Sequence, residues 1–163
     1  MAIDAFLDID GVEGESAIKG FEKKIQILDF SWGATQSATG HMGTGSGSGK
    51  ANVQDIQFSK YLDKTTPTLL QDLLKGKHYK RIILTLRKVT GDVQLNYCVF
   101  TMEDAMMTSY STGAGLGGDD QVREHLSINF ARIRMEYTLQ DSKGAAIGKN
   151  TASWDVSKGT TIT

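Results

Sequence analysis

"EHLSINFARIRMEYTLQ", residues Glu124 to Gln140, decides the architecture. Leu126, Ile128 and Phe130 share one parity, whereas Ile133, Met135, Tyr137 and Leu139 share the other. Apolar residues at every second position mark a half-buried strand, because successive side chains point to opposite faces. A clean change of parity inside such a run means a bulge near Ala131–Arg132, or a strand that bends from one sheet into another. "KKIQILDFSWGATQS" (Lys23 to Ser37) repeats the device: Ile25 and Ile27 give way to Leu28, Phe30 and Trp32. Long strands that swap faces midway are how two sheets become a closed barrel or a corner-sharing sandwich.

The rest of the chain reads the same way. "AIDAFLDID" places Ile3, Ala5, Leu7 and Ile9 on one face and mostly acids on the other. "ANVQDIQF", "YKRIILTLRKV" and "DVQLNYCVFTM" are further strands, "DAMMTSYST" continues the last of these after a kink, and "TASWDV" is a short final strand. One helix stands out in "TTPTLLQDLLKGKH". Thr66 is its expected N-cap and Pro67 its first helical residue. Leu69, Leu70, Leu73 and Leu74 form a stripe facing the barrel, and Gly76 ends the helix with Lys75, Lys77 and His78 at the negative end of its dipole. The expected fold class is all-β with one α-helix: two β-sheets in a barrel-like sandwich, the helix docked on one side. With 163 residues the chain forms one domain, 1–163.

Composition narrows the function classes. A net charge of −1 gives no strong attraction to nucleic acid or to an anionic membrane. The single cysteine, Cys98, excludes an intramolecular disulfide framework and fits folding in a reducing compartment. The opening "MAIDAFLDIDG" has acids where a secretory leader has basic residues, and no stretch approaches the length of a membrane-spanning helix. Folding in the cytoplasm is expected, and any export uses a route that reads no cleavable leader.

Motifs that resemble chemistry fail on spacing. "HMGTGSGSGK" (His41 to Lys50) ends like a phosphate-binding loop, but Thr44 stands where the first glycine belongs and Ala51 follows the lysine in place of a hydroxyl residue. A strand follows, not the helix whose amides would hold a phosphate. "GAGLGG" (Gly113 to Gly118) matches a dinucleotide fingerprint by letter, yet Asp119 and Asp120 come next and would repel a pyrophosphate. "DIDG" (Asp8 to Gly11) has Val12 and Lys19 where a calcium loop needs oxygen ligands, so it reads as a polar strand end with a glycine turn. His41, His78 and His125 lack metal-ligand spacing, and His78 reads as a helix-end cation. Cys98 reads as a small hydrophobe, the Glu103-Asp104 and Asp119-Asp120 pairs as solvated strand ends, and Trp32 and Trp154 as core or interface aromatics. No cofactor, metal or catalytic set is expected. Two other readings stay open: a small-molecule-binding β-barrel with an emptied interior, and a hydrolase whose triad is assembled by the fold. A compact domain with long strands and few prolines to block its edges is otherwise a structural or binding unit.

Several stretches together resemble one family. "MAIDAFLDIDGVEGES", "FSWGATQS", "VQDIQFSKYLDKTTPTLLQDLLKGKH", "VREHLSINFARIRMEY" and "SWDV" occur in the order found in the haemolysin-coregulated protein (Hcp) family of bacterial type VI secretion systems. The resemblance implies a fold similar to phage tail-tube proteins. It implies homohexameric rings stacked into a tube, which a contractile sheath drives out of the cell behind a spike protein at the tip. Small effector proteins are held and protected in the ring lumen, and the protein itself is secreted. The implied function is structural, not enzymatic, with neither nucleic acid nor membrane insertion involved. Strand alternation nominates Gln26, Asp29 and Ser31 as lumen-facing effector contacts. The Gly/Ser-rich loop, with Thr44, Ser46 and Ser48 as representatives, is nominated to contact the adjacent ring.

Overall fold

In a computed structural model the parity change at Ala131–Arg132 proves to be a change of neighbour. The structure describes residues 2–37, 49–90, 92–118 and 121–162. The long run forms strand β9 (Arg123–Gln140). Its first half pairs with β6 (Ile56–Tyr61), from Tyr61↔Arg123 to Ile56↔Ile128. Its second half pairs on that edge with β10 (Ala146–Asp155), from Asp155↔Arg132 to Ala146↔Gln140. The inward side chains switch parity where one partner hands over to the other, so Leu126, Ile128 and Phe130 in the first half and Ile133 and Met135 in the second all pack on the core. The final strand is longer than "TASWDV" suggested, beginning at Ala146.

The break at Ile27–Leu28 closes the barrel. The run read as one strand is three: β2 (Ile25–Ile27), β3 (Asp29–Ser31) and β4 (Ala34–Gln36). The main sheet has the order β2-β1-β7-β8-β9-β6-β3, with β1 (Ala2–Ile9), β7 (Tyr79–Thr90) and β8 (Val93–Gly113) in the middle. β2 and β3 are adjacent in the chain but lie at opposite ends of this sheet. Leu28 N–H donates to the Ser59 carbonyl at 2.8 Å, so the step between them draws the two ends together into a nearly closed barrel. "ANVQDIQF" also divides: β5 (Ala51–Val53) pairs only with β4 in a separate two-stranded sheet, and β6 belongs to the barrel.

The interior is filled. Leu7, Ile82, Leu84, Met102 and Ile128 are fully buried, and Phe30 and Trp32 tilt against Phe100 at centroid distances of 5.8 and 5.9 Å. β8 wraps round this core over 21 residues. It bends at Asp104, whose φ is +48°, and at a bulge at Thr108, between Met107 and Ser109. This is the kink expected before "DAMMTSYST".

The helix α1 (Thr66–Lys75) packs on β8 and starts one residue earlier than expected. Thr65 is the N-cap, Thr66 is already helical and Pro67 sits second, where a missing N–H costs nothing. Gly76 ends the helix as expected, in the left-handed region at φ +65°, with its N–H on the Leu73 carbonyl (3.0 Å) and that of Lys77 on Asp72 (2.9 Å). The leucine stripe is only partly spent on the barrel. Leu69 is fully buried and Leu73 packs on the core, but Leu74 is 75% exposed.

Candidate functional site

Strand pairing writes a polar surface across four strands. β3, β6, β9 and β8 are neighbours, and their registers align two rows: Asp29–Ser59–His125–Ser111 and Ser31–Gln57–Ser127–Ser109. Phe58, Leu126 and Phe30 take the alternate positions and point into the core, which is why the other parity is polar. Asp29, Ser31, Gln57, Ser109, Ser111 and His125 of these rows, with Phe30, Phe58 and Leu126, line a shallow groove of 420 Å³, whereas Ser59 and Ser127 are buried. A third row adds Asp55, whose carboxylate accepts from Thr108 Oγ1 (2.7 Å) and Asn129 Nδ2 (2.8 Å).

The bulge at Thr108 turns two adjacent hydroxyls onto Ser127. Thr108 Oγ1 lies 2.7 Å and Ser109 Oγ 2.5 Å from Ser127 Oγ. Thr108 already spends its proton on Asp55, so Ser127 donates to Thr108 and Ser109 donates to Ser127. The result is a one-directional chain of hydroxyls ending on a carboxylate, in which each bond polarises the next. At the centre of the other row, Ser59 Oγ is buried and has no hydrogen-bond partner among the described residues.

Of the expected contact residues, Asp29 and Ser31 lie together on this surface. Gln26 does not: it is on β2, opposite Phe6 of β1, at the far end of the strand order. The break at Leu28 that closes the barrel separates it from the other two. Thr44, Ser46 and Ser48 lie outside the described residues. Sequence reading missed Gln57, Ser109, Ser111, Ser127 and His125, although the signal was present: Gln57 alternates with Ile56 and Phe58, His125 and Ser127 with Leu126 and Ile128, and Ser109 and Ser111 flank Tyr110.

A buried ionic cluster fixes one end of the surface. Lys60 and Glu124 are completely buried and form an ion pair behind the Ser59–His125 row. Lys60 Nζ also donates to Asp63 Oδ1 (2.9 Å) and Thr66 Oγ1 (3.3 Å), and Thr66 Oγ1 donates to Glu124 Oε1 (2.8 Å). Burial pushes Asp63 up, but hydrogen bonds from Thr65 and Lys60, with the ammonium charge, more than reverse this and hold its carboxyl below the ordinary value. The cluster therefore ties β6 and β9 to the start of α1.

Among the described residues the remaining titratable side chains are spread apart or paired with one another. Asp29 stands two strands from His125, about 10 Å away at ordinary strand spacing, too far for an acid–histidine relay. His78 Nδ1 meets Asp104 Oδ1 at 2.8 Å, and Glu103 meets Arg132 at 3.5 Å, so that carboxylate pair lies mid-strand and not at a solvated strand end. Burial pushes the Cys98 thiol up, which keeps it protonated and unreactive. Among the described residues no group of His, Cys, Asp or Glu is placed to hold a metal, and no helix is long and apolar enough to cross a membrane.

Two further surface features bear on assembly. β7 pairs with β8 only as far as Tyr79↔Ala105, so Met106–Gly113 has β9 on one side and, among the described residues, no strand on the other. β3 likewise pairs only with β6. Among the described residues the polar four-strand sheet thus has two edges with no further strand neighbour. At the end of the barrel where β1 begins, Ile3, Val93, Tyr137, Leu139 and Ile147 are exposed; Ile3 is 58% and Ile147 64% accessible. Ile3 shares the inward parity of Leu7 and Ile9 and is exposed because the barrel stops there.

A family model described as "Type VI secretion system effector, Hcp" matches residues 6–137. The chain is 44% identical to protein Hcp1 of Pseudomonas aeruginosa over 148 residues, 91% of each chain. The chain belongs to the Hcp family. Solved Hcp-family structures carry the same fold. A structure titled as a type six secretion system protein superposes with a TM-score of 0.91 at 27% identity, covering 99% of this chain and all of that one. Hcp1 from Salmonella typhimurium superposes at 0.81 with 31% identity, again over 99% of this chain and all of the other. The barrel-like sheet with its single docked helix is the Hcp fold, and the chain is a type VI secretion protein.

Proposed function

We propose that this chain is a structural subunit of the type VI secretion tube. Copies form hexameric rings, the rings stack, and the tube leaves the cell behind a spike protein inside a contractile sheath. The polar four-strand surface faces the lumen and holds small effector proteins, protecting them before export. The nominated loop, with Thr44, Ser46 and Ser48, contacts the adjacent ring.

The observation that carries this reading is the polar sheet with two open edges. An open strand edge pairs with another chain unless it is blocked. β3 lies at one border of the sheet and Met106–Gly113 at the other. Joining the first edge of one copy to the second edge of the next gives a head-to-tail contact, which closes into a ring if the rotation per step divides a full turn. Such a ring carries one continuous polar wall of hydroxyl and amide groups, suited to unlike protein surfaces because hydroxyl groups donate and accept alike. The exposed residues at the start of β1 support stacking of one ring on another. The filled interior weighs against a barrel that stores a small molecule.

Light scattering on the purified chain, with electron microscopy, tests the assembly: a hexameric mass and annular particles are expected, and a monomer at high concentration overturns it. The lumen assignment is tested with Ser31→Tyr and Ser109→Tyr. Both rings should form, and effector that co-purifies with the unaltered chain should be lost. Loss of rings would place the surface in an interface instead.

A further inference from the structure

The apolar end of the barrel, where β1 begins, needs a counterpart if copies stack. The opposite end is fixed by one row of strand partners, Ile9–Ile82–Met102–Ile133–Trp154. β10 therefore runs from end to end: exposed Ile147 stands at the first, and Trp154, seven residues on, at the second. At ordinary strand rise they are about 23 Å apart. Beside Trp154 lies a small apolar pocket of 130 Å³. Ile133 and Met135 form its floor, the half-buried Trp32 and Trp154 its walls, and exposed Ala152 its rim. Its polar groups are already engaged. Trp32 Nε1 donates to the Gln54 carbonyl (2.8 Å), and Ser153 Oγ, also in the lining, donates to the Ile162 carbonyl (3.5 Å). An apolar space of about 150 Å³ accepts a benzene-sized group, whereas sites for whole small-molecule ligands begin at about 300 Å³. This pocket therefore fits one apolar side chain.

We infer that the Trp32–Trp154 pocket receives an aliphatic side chain from a second copy of this chain in the next ring, and that Ile147 supplies it. This rests on the reading that rings stack, and it adds what that reading leaves open: the surface that covers the apolar end. A stack that grows must join unlike ends, because joining like ends stops at two. The two ends here are complementary, one with projecting aliphatic side chains and the other with an apolar depression. A copy displaced along β10 sets Ile147 of one chain above Trp154 of the next, since the two residues mark opposite ends of that strand. Val156, exposed in the turn that follows, extends the apolar rim.

The test uses the full-length chain, with rings and stacks counted by electron microscopy. Ala152→Phe fills the pocket from its rim, and Thr151→Phe puts the same ring on the other face of β10. Ala152→Phe should keep its rings and raise the concentration at which stacks appear by about tenfold or more. Thr151→Phe should stack like the unaltered chain. A pair of cysteine variants adds no bulk and reads the contact directly, because the native Cys98 is buried. Preformed rings of Ile147→Cys, mixed with preformed rings of Ala152→Cys and oxidised, should give disulfide-linked subunit pairs, and neither variant alone should. Links within Ile147→Cys alone would mean that like ends meet and would overturn the inference. So would stacks that ignore Ala152→Phe, rings lost in that variant, or a mixture that stacks without linking. In those cases stacks of the unaltered chain would still uphold the ring-stacking reading. An unaltered chain that forms rings and never stacks would sink that reading, and the inference with it.

Discussion

Lys60 shows what one residue contributes to the surface. A lysine with no exposed area is stable only if its charge is met, and here Glu124, Asp63 and Thr66 meet it. Breaking a buried pair from one side leaves the other charge stranded, at about 3–5 kcal/mol. Lys60→Met should therefore lower the urea midpoint sharply. The double variant Lys60→Met/Glu124→Leu should recover part of that loss, because replacing both partners removes the stranded charge. A double variant whose loss equals the sum of the two single losses would mean that the pair is not coupled. Asp63 adds a pH signature. Its folded value lies below the unfolded one, so its contribution is complete above about pH 4 and drains away as pH falls through the folded value. Asp63→Asn should flatten the acid limb of the stability profile and leave the slope above about pH 5 unchanged. None of this was legible in the sequence, where Lys60 and Glu124 stand as two ordinary charges far apart in the chain. Only the β6–β9 register brings them together.

The elements themselves were largely legible, because apolar alternation is local. The helix, its glycine stop and the phase breaks all followed from spacing. What the breaks did was not local. The parity change in β9 is a change of neighbour, and the one at Leu28 is the step that joins the two ends of the sheet, and periodicity cannot tell the two apart. That is also why Gln26 was grouped with Asp29 and Ser31: it stands three residues before one and five before the other, yet its strand pairs with β1 while theirs pairs with β6. The stretch from Asp10 to Lys24 was invisible to alternation as well. It is held by backbone bonds such as Gly14 N–H to the Lys23 carbonyl (2.7 Å) and Ser16 N–H to that of Lys24 (3.1 Å). A Cβ on Gly14 would lie 2.2 Å from the Lys24 carbonyl oxygen, a clash with backbone that no rotamer relieves. Gly76 offers the contrast, since a Cβ there meets nothing and only the φ of +65° is strained. Gly76→Ala should cost about 1–2 kcal/mol, a few degrees in Tm. Gly14→Ala should cost more, measured in parallel by calorimetry. Equal losses would show that the Asp10–Lys24 segment yields easily and does not brace β2.

At the scale of the whole molecule, the barrel is well satisfied within and incomplete at its borders. The core is closed by β2 and β3, yet among the described residues two strand edges have no further strand neighbour and one end of the barrel exposes apolar side chains. The end residues give the cleaner test, because their exposure separates assembly from folding. Ile3 and Ile147 are mostly solvent-accessible in the single chain, so replacing them removes little that the fold needs. Burying such a side chain against another copy is worth about 1.5–3 kcal/mol each, and a buried carboxylate in its place would cost more. Ile3→Glu/Ile147→Glu should therefore leave circular dichroism and the urea midpoint of the subunit close to those of the unaltered chain. The same variant should leave rings intact but shorten or abolish stacks, read by electron microscopy and sedimentation. Stacks of unchanged length would place the ring-to-ring contact elsewhere. Loss of the rings themselves would mean that this apolar end lies between neighbours within a ring, and the open edges of β3 and β8 would then no longer account for ring closure by themselves.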